Sequence, residues 1–173
     1  MKILGVTISK RKVTLALIEH GLEEISPDPK LKPFKLVRLQ YLYVPKNIFE
    51  KITDLFYRFD KLEIVEQCDF VRIVYYEDPE TSSDTNAIKK ILYLLLKDQL
   101  KKIKKKYYVE SQITIQYRMG KRVFMNNKKV LDWVLKNVSG VARQQLMGQR
   151  GILIQSILAI ASGCSKKSSK YNY

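Results

Sequence analysis

Apolar residues come in short blocks near the start of the chain. Ile3-Leu4-Gly5-Val6-Thr7-Ile8 is a β-rich run, Ser9-Lys10-Arg11 interrupts it, and Val13-Thr14-Leu15-Ala16-Leu17-Ile18 follows. Two such runs around a short polar break predict a β-hairpin. The stretch from His20 to Pro33 carries Gly21, Pro27, Pro29 and Pro33 and reads as a loop, with His20 at the surface. From Lys35 to Val44 the residues alternate, Leu36, Arg38, Gln40 and Leu42 against Val37, Leu39, Tyr41 and Tyr43, which predicts a third strand closed by Pro45. Ile48, Ile52, Leu55, Phe56 and Phe59 then fall at helical spacing behind Asn47, a residue suited to capping.

The second half alternates strands with helices. Phe70 to Tyr76 is a fourth apolar strand that runs into Glu77-Asp78-Pro79-Glu80. A helix is expected from about Thr85 to Lys106, capped by Asp84, with Ile88, Ile91, Leu92, Leu95 and Leu96 on its apolar face. Ile113 to Tyr117 reads as a fifth strand and Lys128 to Asn137 as a short helix that Gly140 ends. A last helix is expected from Ala142 to Ser162. The order is βββαβαβαα: an α/β fold with an antiparallel meander first and parallel additions later. No repeat or long linker divides it, so residues 1–164 read as a single domain and 165–173 as a flexible basic tail.

Composition sharpens the picture. The chain has 173 residues, 46% of them hydrophobic, enough for one packed core. Thirty-two Lys and Arg stand against 17 acids, a formal charge of +15, which favours a polyanionic partner, DNA or RNA first. Cys68 and Cys164 form no CxxC pair, and with His20 they make no zinc-ligand set. They read as buried thiols of a reducing compartment, and no signal peptide precedes the first strand, so the cytoplasm is expected. The longest apolar run, Gly151 to Ala161, is too short to span a bilayer, so no membrane association is expected.

The opening hairpin and the strand order together resemble the ribonuclease H-like superfamily, which includes Holliday-junction resolvases, transposases and RNases H. Resolvases of this kind open with an apolar strand, a small-residue turn and a second apolar strand. The resemblance implies a ribonuclease H-like mixed sheet and, in active members, two divalent metals that activate water and stabilise the leaving oxygen, held by carboxylates. It places one acid mid-way along the first strand, one at the end of the fourth and one or two on the last helix. Those positions fall on Thr7, on Glu77 or Asp78, and near Gln155 and Ser156. Only the fourth-strand position is acidic, and no acid occurs from Leu146 to Tyr173. Magnesium prefers oxygen anions, so the expected site is degenerate: no catalytic residue, no metal and no cofactor. Glu77-Asp78 before Pro79 also fits ordinary turn chemistry.

Lysines and arginines cluster instead. Lys97, Lys101, Lys102, Lys104, Lys105 and Lys106 crowd one helix end, and Arg118, Lys121, Arg122, Arg143 and Arg150 follow among aromatics. This interleaving suits phosphate contacts with base stacking, although lysines at a helix C-terminus also complement its dipole. The leading expectation is a catalytically silent domain that binds nucleic acid within a larger assembly. One alternative is a protein-interaction or homo-oligomer module on the same fold, using Tyr41, Tyr43, Tyr75, Tyr76 or Trp133. Another is an active endonuclease with displaced acids, Glu77, Asp78 and Asp84, which would need Mg2+.

Overall fold

The computed structural model describes residues 1–21, 32–44, 62–75, 82–111, 127–141 and 150–164. Strands β1 (Lys2–Ile8) and β2 (Lys12–His20) form the expected hairpin, paired from Lys2↔Glu19 to Ile8↔Val13. Both are buried on both faces, which is why their sequences are almost continuously apolar rather than alternating. Ser9 closes the turn. Its Oγ donates to the Lys12 carbonyl at 2.9 Å and accepts from the Lys12 amide at 3.2 Å.

Strand β3 (Phe34–Tyr43) extends the meander antiparallel to β2, with a bulge between Leu17 and Ile18. A one-turn helix α1 (Glu63–Glu66) precedes β4 (Phe70–Val74), which lies parallel to β1. Helix α2 (Ser83–Lys102) leads to β5 (Tyr107–Glu110), parallel to β4. Helix α3 (Asn127–Asn137), the two-residue strand β6 (Val138–Ser139) and helix α4 (Arg150–Gly163) complete the described elements. The sheet order is β5-β4-β1-β2-β3-β6. An antiparallel meander with later parallel additions is therefore what forms.

Two cores sandwich the sheet. On one face Leu4, Val6, Leu15, Leu17, Val71 and Ile73 pack with Ile64 and Val65 of α1 and with Leu92, Leu96 and Leu100 of α2. On the other, Ala16, Ile18 and Val74 pack against Val130 and Val134 of α3 and Ile157, Ile160 and Ala161 of α4. Gly5 sets the second contact. A Cβ there would collide with the backbone carbonyl of Ala159, so only glycine lets α4 lie this close to β1.

Several expectations are corrected. Tyr107–Glu110 is a strand that the pattern did not announce; the strand expected at Ile113 to Tyr117 and the helix expected after Asn47 lie outside the described residues. Helix α2 stops at Lys102 rather than Lys106, and Ser82, not Asp84, caps it by accepting from the Thr85 amide. His20 is buried, not at the surface. Its Nε2 lies 2.8 Å from the Gly163 carbonyl and its ring meets Phe34 edge-on, because the end of α4 closes over the end of β2. Both cysteines are free and buried, and burial pushes the Cys68 thiol up to about 11 and Cys164 up as well.

Candidate functional site

Directly paired residues on neighbouring strands share a face of the sheet. Gly5 faces α4, so Thr7 does too, and the register then defines one straight row: Tyr41 on β3, Thr14 on β2, Thr7 on β1, Val74 on β4 and Glu110 on β5. The row lies beneath α4, at the carboxyl ends of the parallel strands β1, β4 and β5. Thr7 and Thr14 are buried. From α4 the buried Ser156 meets the row, its Oγ sharing a 3.0 Å hydrogen bond with the Tyr41 hydroxyl.

Thr7 and Ser156 both belong to the α4 side of the sheet, Ser156 meeting the row at Tyr41 on β3. Gln155 lies on α4 beside Ser156, but its side chain, like Glu77 and Asp78, lies outside the described residues. Lys12 stands one step beyond Thr14 on the same face of β2. Only 5% of it is exposed, its ammonium sits 4.7 Å from the centre of the Tyr41 ring, and it makes no hydrogen bond to the described residues. Burial pushes the Lys12 pKa below the ordinary lysine value. Thr14 Oγ1 likewise has no hydrogen-bond partner among the described residues.

The one described acid in the row is Glu110, three strand spacings from Thr14, about 14 Å away. It is engaged elsewhere. Its carboxylate and the Arg72 guanidinium form an ion pair with both side chains fully buried, and Arg72 lies beside the edge-to-face pair of Phe70 and Tyr108, 5.5 and 5.6 Å from the two ring centres. Ser162 of α4 donates to the Arg72 carbonyl at 3.3 Å. The described polar groups on the Thr7 side of the row are therefore the hydroxyls of Thr7, Thr14, Tyr41 and Ser156 with the Lys12 ammonium against Tyr41, while Val74 on the other side of Thr7 is apolar. That donor set does not suit a divalent cation, which wants anionic oxygens and is repelled by an ammonium. Among the described residues no group of three or more His, Cys, Asp or Glu could hold a metal ion.

The lysines of the α2 end form a separate group. Lys101 and Lys102 are on the helix and exposed, with Lys102 paired to Asp98 at 2.8 Å. Lys104, Lys105 and Lys106 lie beyond it in the turn to β5. Lys105 is half-buried and donates to the Cys68 carbonyl at 2.6 Å, so part of the cluster ties the turn to the entry of β4. Lys97 lies 5.9 Å from the Tyr93 ring and Lys106 5.4 Å from that of Tyr108. This group borders the amino ends of β4 and β5, the edge opposite the Thr7 row. Arg118, Lys121, Arg122 and Arg143 lie outside the described residues, and Arg150 opens α4 with its side chain outside them.

Sequence reasoning missed Lys12 and the Arg72–Glu110 pair. Lys12 falls between the polar break Ser9-Lys10-Arg11 and the apolar run from Val13, where nothing in the pattern says which way it faces. The signal for the pair was a lone arginine inside the apolar run Phe70 to Tyr76, which asks for a buried partner.

No protein-family profile matches this sequence, and none of the curated proteins does. The fold has clear counterparts. RuvC from T. thermophilus, solved in complex with a Holliday junction substrate, aligns with a TM-score of 0.69 at 9% identity over 94% of this chain and 92% of that one. A further Thermus thermophilus RuvC structure aligns with a TM-score of 0.65 at 9% identity over 93% and 92%. The fowlpox virus resolvase, solved with substrate Holliday junction DNA, gives 0.54 at 16% identity over 94% of each chain. The chain shares its ribonuclease H-like fold with these structures.

Proposed function

We propose that this chain is a nucleic-acid-binding domain that uses the resolvase fold without metal-dependent cleavage, and works within a larger assembly. The observation that carries this reading is the chemistry of the Thr7 row. At the positions where the resemblance places metal-holding carboxylates, the described side chains are the hydroxyls of Thr7 and Ser156, and Thr14 beside Thr7 and the ammonium of Lys12 beyond it add further hydrogen-bond donors. Such a set attracts an anion and offers a metal little.

Three further observations support binding. The net charge is +15, the exposed lysines at 101, 102, 104 and 106 concentrate it at one edge, and two of the similar structures were solved on Holliday junctions. Branched DNA is accordingly the first ligand to try. Exposed Val37 and Tyr43 on β3 support a protein contact along that strand. Replacing Lys101, Lys102, Lys104 and Lys105 together by Ala is expected to abolish most binding to a four-way junction at moderate salt in a mobility-shift titration. Unchanged affinity would remove the lysine edge from the interface.

A further inference from the structure

The turn of the opening hairpin places three basic residues, Lys10, Arg11 and Lys12, at the carboxyl ends of the parallel strands. Ligands of open α/β sheets settle at this edge, because loops there are free to vary and the strands end in a common crevice. Lys10 and Arg11 are exposed; Lys12 turns inward and is buried, with 5% of it exposed.

A buried ammonium is costly unless it meets an anion or a set of acceptors. Lys12 meets neither among the described residues. The Tyr41 ring lies 4.7 Å from it, and the nearest described carboxylate in the adjoining row, Glu110, is held by Arg72 on the far side of β1. Thr14 Oγ1, two residues along the same face, is also without a hydrogen-bond partner among the described residues. The Tyr41 and Ser156 hydroxyls complete the group. Every one of these side chains can donate a hydrogen bond, and none carries negative charge. Lysine's four-carbon stem lets the ammonium shift toward an incoming ligand, while the exposed Lys10 and Arg11 draw that ligand to the rim.

We propose that this group is a seat for one phosphodiester of the bound polynucleotide, with the Lys12 ammonium as its direct counter-ion. The proposal rests on the nucleic-acid reading above and names the contact that the reading leaves unspecified.

The test compares wild-type protein with Lys12→Met and Lys12→Gln, each titrated against a four-way DNA junction and a linear duplex at several salt concentrations, with thermal melts run alongside. Loss of one phosphate contact is expected to weaken binding by about tenfold at low salt and to lower the slope of log K against log salt by roughly 0.9. The melts should show both variants folded and no less stable than wild type. Two variants with unchanged affinity and slope would overturn the proposal while leaving the nucleic-acid reading intact. A wild-type protein that binds neither DNA at any salt overturns both.

Discussion

Arg72 and Glu110 meet between β4 and β5 with no exposed side-chain surface, and the two charges neutralise each other where neither can reach water. Removing one partner leaves the other charge buried alone, which costs about 3–5 kcal/mol. Glu110→Gln should therefore lower stability by that order in urea denaturation, whereas the double replacement Arg72→Met/Glu110→Leu should recover most of the loss. A Glu110→Gln variant as stable as wild type would mean that Arg72 depends on other groups. The buried thiol of Cys68 gives a second residue-scale expectation. Its folded pKa, raised from 9.0 to about 11, favours the protonated form in the native state. The stability this adds is present below pH 9 and fades as pH rises toward 11. At pH 8 Cys68 should react slowly with a thiol reagent in native protein and quickly in urea; fast native labelling would contradict its burial.

At the scale of elements, the end of α2 is the most informative. Lys105 donates its amide to the Leu100 carbonyl and Lys104 to that of Lys101, the paired bonds of a Schellman ending, and Lys104 takes the left-handed conformation with φ of 53°. Glycine usually fills that place, and a residue with a Cβ there is disfavoured by about 1–2 kcal/mol. Lys104→Gly is expected to raise stability by roughly 1 kcal/mol while weakening nucleic-acid binding, a combination that stability and mobility-shift measurements would reveal together. The sequence hid this ending for a physical reason. Lysine propagates helices well, and with no glycine at 104 nothing local announced the stop. The hairpin, by contrast, was legible because two apolar runs around Ser9-Lys10-Arg11 admit few other structures. The site was legible in part: strand order located Thr7 and the neighbourhood of Ser156. It could not show that Lys12 turns inward, since facing is fixed by register against β1 and β3, and register is a property of the assembled sheet.

At the scale of the whole molecule, positive charge gathers at both ends of the parallel strands. One group is the lysine turn beyond α2; the other is the hairpin turn above the Thr7 row. Four or five strand residues separate the edges, about 15 Å, so one nucleic acid following the sheet can touch both. Contacts of this kind hold the backbone and carry no sequence information, so affinity should fall steeply with salt for any sequence. Binding through this fold without scission is read directly from one gel experiment. A labelled Holliday junction is incubated with the protein in Mg2+ or Mn2+ and resolved both on native and on denaturing gels. The expected result is a retarded complex at low salt whose DNA strands remain intact in either metal. Divalent-dependent nicking that disappears in Glu77→Gln would contradict it and make the chain a nuclease.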